Sequence, residues 1–169
     1  TLIQNRPLAA WQDQALEEAG LRRIDAPSPP CLVLPDTFFA NGAALRAFVE
    51  GAQGRDAVFV LGRSRFGEQT TPVQAGVEPV PAGWRFTALR WLSGQGTPPV
   101  DVVVDPQEQT FSVQAPRRYL DCDTLEFGVP QRPLMTLHHW VHILWANQLG
   151  GTLEMNRTPR WRLLLRGLG

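Results

Sequence analysis

The sequence contains no lysine: all 16 of its basic residues are arginine. That excludes Schiff-base chemistry, a lysine general base and a phosphate-loop lysine on this chain. Cysteine is scarce, with only Cys31 and Cys122 far apart in the sequence, so a disulfide framework is not expected and Cys31 reads as a small apolar core residue. Charge of one sign is not in excess, since 16 acidic residues balance the 16 arginines, and no global field draws the chain toward nucleic acid or anionic lipid. No apolar run approaches the ~20 residues of a membrane span, and no signal peptide is visible, so the expected setting is cytoplasmic. No Gly-x-Ser-x-Gly turn exists, and neither Ser64 nor Thr37 has the spacing of a nucleophile.

What is present begins with the run from Cys31 to Ala40, an apolar stretch bounded by proline and broken by a single carboxylate, Asp36. It reads as a buried strand, followed by a turn at Asn41-Gly42 and a helix from Ala43 to Glu50. The segment from Ala57 to Gly62 reads as a second buried strand, completing a βαβ unit with a right-handed crossover. Upstream, Leu8, Trp11, Ala15, Leu16 and Ala19 recur at helical steps, with Pro7 suited to the first turn and Gly20 to the C-terminal cap.

Beyond Gly62 the texture changes to closely spaced Pro and Gly with short alternating runs at Trp84–Trp91, Val100–Val104 and Thr110–Val113. Period-two alternation between turn signals predicts an antiparallel meander. A helical pattern returns from Thr136 to Leu149, with Leu137, Trp140, Val141, Leu144 and Trp145 as its apolar stripe, Thr136 as its cap and Gly150-Gly151 as its end. The tail from Arg157 to Arg166 reads as a short basic amphipathic helix. The expectation is one α/β domain over residues 1–169: a partly parallel Rossmann-like sheet with a βαβ-type core (1–62), an antiparallel β meander (63–135) and a helical closing segment (136–169).

Asp36 would then lie at the carboxyl end of a strand, the rim where open α/β sheets bind ligands. One carboxylate there suits Mg²⁺, which binds through one or two carboxylates together with phosphate and water; the competing reading is an Asp that caps its own turn. Asp101 and Asp105, flanking the Val102–Val104 run, are the acidic groups available as second ligands. Arg63, Arg65, Arg117 and Arg118 are candidates for bidentate phosphate recognition. His138 and His142, four apart in one helix, form an alternative zinc pair, with Asp121, Cys122 or Asp123 to complete it; the competing reading is half-buried helix histidines.

Arg6-Pro7-Leu8 leading into a helix that ends Ala19-Gly20, followed by Leu32-Val33-Leu34-Pro35-Asp36-Thr37, resembles the sugar-1-phosphate nucleotidyltransferases. Trp140 with Leu144, Trp145, Ala146 and Asn147 is similar to the helix that closes that family's catalytic domain. The resemblance implies Asp36 as a Mg²⁺ ligand and Arg6, at a family lysine position, as a substrate-side residue, with Thr37 next to Asp36 as another. The family's glycine-rich nucleotide loop lies upstream of the Pro-Leu segment and has no counterpart here, and Pro35 stands where the family has Gly.

The expected function is therefore a reduced nucleotidyltransferase-like domain binding a nucleotide-sugar or sugar phosphate with Mg²⁺ near Asp36. The alternative is a non-catalytic regulatory or interaction domain, docking a downstream β-helix acyltransferase-like domain or a partner subunit through residues 136–169.

Overall fold

A computed structural model describes residues 1–114 and 124–157, the side chains of 125 and 155–157 excepted. The chain runs β1 (Leu2–Ile3), β2 (Arg6–Pro7), α1 (Leu8–Glu18), β3 (Cys31–Val33), β4 (Phe38–Ala40), α2 (Gly42–Ala52), β5 (Ala57–Gly62) and α3 (Arg65–Thr70). It continues with β6 (Val77–Val80), β7 (Gly83–Leu92), β8 (Val100–Val104), β9 (Glu108–Gln114), β10 (Thr124–Pro130), β11 (Leu134–Thr136) and α4 (Trp140–Arg157). The architecture is mixed α/β, with a mixed parallel and antiparallel sheet and a C-terminal helix. Among the described residues no helix is long and apolar enough to cross a membrane.

The α1 segment forms where its apolar spacing and caps foretell. Pro7 sits at the N-cap position with φ −57°, close to the helical value that its ring imposes. The helix stops because Gly20 adopts φ +73°: its N–H donates to the Glu17 carbonyl (2.9 Å) while the Leu21 N–H donates to that of Leu16 (2.8 Å). This pair of bonds satisfies carbonyls that would otherwise be orphaned at the helix end. Asn41 is more than a turn residue, since its Oδ1 accepts from the Ala44 N–H (3.0 Å) and caps α2.

The run from Cys31 to Ala40 is two strands in two sheets. β3 joins the main sheet against β7, whereas β4 pairs with β11 in a separate ribbon. Pro35 is the cause: it supplies no N–H, so the ladder cannot continue, and the chain folds into a turn closed by the Phe38 N–H on the Pro35 carbonyl (3.0 Å). Gln12 Nε2 on α1 fastens this turn, donating to the carbonyls of Asp36 (2.7 Å) and Phe38 (2.9 Å).

The main sheet has the order β3-β7-β5-β8, with β6 sharing the β3 side of β7. β3, β5 and β8 run in one direction and β7 runs against them. The strands expected to pair as a βαβ unit are thus separated by β7, and among the described residues the one parallel pairing is β5 with β8. The expected meander is corrected in the same way. β7 and β8 are not neighbours, and β9 leaves the sheet to form a hairpin with β10. Alternation records which residues face inward; it carries no information about which strand lies alongside, because that depends on long-range burial.

The late helix also departs from expectation. It begins at Trp140, four residues after β11 ends at Thr136, and runs through Gly150-Gly151 to Arg157. Its buried face is His142, Ala146, Leu149 and Leu153; Trp140 and Leu144 of the expected stripe point outward, 68% and 51% exposed. A single core joins residues from Ile3 to Leu153 across these elements. At its centre Phe48 of α2, Phe59 of β5 and Phe86 of β7 stack edge to face, with ring centroids 5.4 and 5.6 Å apart.

Candidate functional site

Asp36 lies in the turn after β3, beyond the carboxyl ends of the co-directional strands but at the edge of the sheet rather than its centre. It is exposed, and among the described residues its carboxylate has no hydrogen-bond partner; only its backbone carbonyl is engaged, by Gln12. The residue is part of the lining of a hollow of about 230 Å³, together with the apolar Leu32, Leu34 and Phe38 and the polar Gln12, Arg22 and Arg23. Arg23 also meets Asp13 on α1 at 2.9 Å, an exposed pair that water screens and that a ligand can displace at little cost.

The other expected site residues lie elsewhere. Asp101 sits on β8 and is gripped by both nitrogens of the Arg85 fork on β7, with Nε at 2.9 Å from Oδ1. That contact holds the Arg85 guanidinium above its ordinary pKa, the hydrogen bond from Asp101 being the main cause. Asp105 bonds its own turn, Oδ1 accepting from the Gln107 N–H (2.8 Å). Since β3 and β8 are opposite ends of a four-strand path, three spacings of about 4.8 Å separate the strand that leads to Asp36 from the strand of Asp101 and Asp105 by about 14 Å. Ligand oxygens sit within about 2.6 Å of such a cation, so the fold does not bring Asp36, Asp101 and Asp105 together. Among the described residues no three His, Cys, Asp or Glu side chains converge as a metal cluster.

Arg6 is a bracket between helices. Its guanidinium donates to Gln14 and to the Ala10 carbonyl (2.6 Å), lies 5.0 Å over the Trp11 ring and meets Glu154 of α4 at 3.6 Å. The Thr37 hydroxyl is enclosed by protein, without a hydrogen-bond partner among the described residues, and so is not presented beside the Asp36 carboxylate. Arg63 donates to the Pro81 carbonyl (2.9 Å) and Arg65 pairs with Glu126. Arg117, Arg118, Asp121, Cys122, Asp123 and most of the Arg-rich tail lie outside the described residues.

His142 is fully buried, and both ring nitrogens are occupied. Nδ1 accepts from the backbone N–H groups of His138 and His139, each at 3.1 Å, at the exposed start of α4. Nε2 faces the Pro72 carbonyl at 3.3 Å, and because a carbonyl only accepts, Nε2 carries the proton. In this arrangement the ring has no lone pair left for zinc, and its role is to cap the helix from its third residue, as a Gln does in a capping box. Burial is the main cause holding its pKa below the ordinary histidine value.

A larger concavity was not legible in the sequence. Between the β9–β10 hairpin and α4 lies a cleft of about 760 Å³, lined by the polar Glu18, Gln109 and Gln131 and the apolar Phe111, Leu149 and Leu153. A second hollow of about 260 Å³, lined by Phe111, Phe127 and Trp145, adjoins it. The alternation in β9 and the apolar residues of α4 were visible, but nothing in the sequence says that the two elements face each other.

The chain was compared with protein-family models, with curated proteins and with solved structures. None matches.

Proposed function

We propose that the chain is a nucleotidyltransferase-like domain that binds a sugar phosphate at the hollow beside Asp36. The observation that carries this reading is the exposed Asp36 carboxylate, without a partner among the described residues, in the lining of a cavity that Arg22 and Arg23 also line. Two guanidinium groups offer the bidentate donors that suit a phosphate, and Leu32, Leu34 and Phe38 offer apolar surface for a sugar ring. Mg²⁺ would be held by Asp36 only in company with phosphate oxygens and water, a one-carboxylate arrangement that hard cation accepts. At about 230 Å³ the hollow is below the ~300–1,000 Å³ of pockets that enclose drug-sized ligands, which favours a sugar phosphate over a whole nucleotide-sugar.

Thermal melting with a hexose 1-phosphate, with and without MgCl₂, tests the proposal. A ligand at 100 times its Kd adds about 2.7 kcal/mol of stability, a shift of several degrees for a chain this size. The Mg²⁺-dependent part of the shift should vanish in Asp36→Asn and the remainder in Arg22→Ala/Arg23→Ala. An unshifted melting curve at millimolar ligand refutes the reading.

A second reading, a non-catalytic docking domain for a partner domain or subunit, is favoured by Trp140 and Leu144. They stand one turn apart on α4 and are largely exposed, although neither side chain is needed on the surface for solubility. Under this reading Trp140→Glu/Leu144→Glu abolishes binding of the partner while leaving the melting temperature and the Asp36 hollow unaffected.

A further inference from the structure

Six consecutive residues of β9, Gln109 to Gln114, are exposed, contain no charge and no proline, and run in unbroken register with β10. Among the described residues no strand pairs with the other edge of β9. A strand edge is a row of unsatisfied N–H and C=O groups, and folded proteins ordinarily blunt it with short length, charge, proline or a bulge.

Every other long or outer strand in this molecule is treated in that way. β3 has three residues between Pro30 and Pro35; β6 carries Glu78 and Pro79; β8 carries Asp101, held by Arg85; β10 carries Pro130 and Glu126, which pairs with Arg65. β4 and β11 are buried throughout. Beyond Glu108 at its start, β9 is long, open and uncharged, unlike the other edges among the described residues, with Phe111 and Val113 each about half exposed.

We infer that β9 is a self-pairing edge, through which two copies of this chain join antiparallel about a two-fold axis at Ser112. Any axis through a residue keeps one face together, but an axis at Ser112 sets both Phe111 and Val113 against apolar partners, whereas one at Phe111 would set Val113 against Gln109. With Ser112 opposite the Ser112 of the second copy, Phe111 lies opposite the second copy's Val113 and Thr110 opposite its Gln114. Within one chain Phe111 already pairs with Phe127 on the face that borders the α4 hollow, and Val113 stands in register with Leu125. Self-pairing at Ser112 therefore extends one apolar face across a four-stranded sheet, β10-β9-β9-β10, and leaves the polar residues together on the other.

A second copy fits this edge better than a foreign segment because the edge has no charge to select a complementary partner and none to repel its own image.

The experiment uses the full chain with Cys122→Ser, Cys31 being buried. Ser112→Cys places two thiols directly opposite one another across the axis, with Cβ atoms about 4.5–5.5 Å apart, so mild oxidation should yield a covalent dimer. Thr110→Cys should not crosslink, since its counterpart in the other copy is about four residues away along the strand. Sedimentation should show a concentration-dependent dimer for the parent and a monomer for Ser112→Lys. Lysine at that position is compatible with folding because Glu126 is the cross-strand neighbour of Ser112, which an unchanged circular dichroism spectrum would verify.

A parent that stays monomeric at high micromolar concentration overturns the inference. So does a dimer that survives Ser112→Lys, one that crosslinks equally well through residue 110, or one that yields only to a foreign peptide.

Discussion

His142 shows how one side chain can read as a metal ligand in sequence and serve another purpose in the fold. Its two nitrogens bridge three backbone groups from separate parts of the chain, the N–H groups that open α4 and the carbonyl of Pro72. Replacing it with Ala removes the partner of two part-buried donors at the start of α4 and of the Pro72 carbonyl, at a cost of about 1–3 kcal/mol, while Gln, which also presents an acceptor and a donor, loses less. Urea unfolding of the three proteins measures the difference. The folded-state pKa lies below the ordinary 6.5, so the unfolded chain takes the proton first as pH falls. Stability attributable to His142 is complete above about pH 6.5 and declines below it, until the folded state also protonates. The Gln variant should flatten stability against pH in that window. Asp56, whose pKa is lowered by hydrogen bonds from the Ser93 hydroxyl and N–H, acts in the same direction at lower pH, with its share lost only as pH falls below about 3.8.

At the scale of elements, α4 and the Cys31–Ala40 run carry the lesson. Gly150-Gly151 is a helix stop in sequence, yet both residues lie inside α4. Gly150 is there for proximity: a Cβ would stand 3.2 Å from Ile3 and from Trp11, whereas at Gly151 the nearest atom is Gln4 Nε2 at 3.5 Å, an ordinary contact. Gly151→Ala should accordingly stabilise the protein by about 0.5–1 kcal/mol through helix propensity, and Gly150→Val should destabilise it. Thermal melts of the two variants moving in opposite directions would verify this account. The capped ends of α1 were readable because Pro7 and Gly20 act locally, within one turn. Splitting of the Cys31–Ala40 run was foreshadowed by Pro35 alone, and the apolar residues on either side concealed it, since buried strands in two sheets look like one long strand.

For the molecule as a whole, the core draws on residues from Ile3 to Leu153, so no large part of the described chain has a separate interior. Unfolding should be a single transition, with near- and far-ultraviolet circular dichroism midpoints coinciding. Phe59→Ala, which removes the middle ring of the Phe48–Phe59–Phe86 stack, should lower stability by about 3–5 kcal/mol without splitting that transition. Two midpoints in the parent protein would refute the shared core.

The sequence by itself determined the class of the fold, the starts and ends of α1 and α2 to within a few residues, the buried strand at Ala57–Gly62 and the exposed carboxylate at Asp36. Those features depend on proline, glycine and asparagine acting on adjacent backbone and on the period of apolar residues. Only the tertiary structure decided that β7 separates β3 from β5, that Asp101 and Asp105 lie across the sheet from Asp36, and that α4 buries His142 while turning Trp140 outward. Each of those outcomes is a choice among distant surfaces competing for the same contacts. Such a choice is made by the total area buried and the backbone groups satisfied when all elements pack at once.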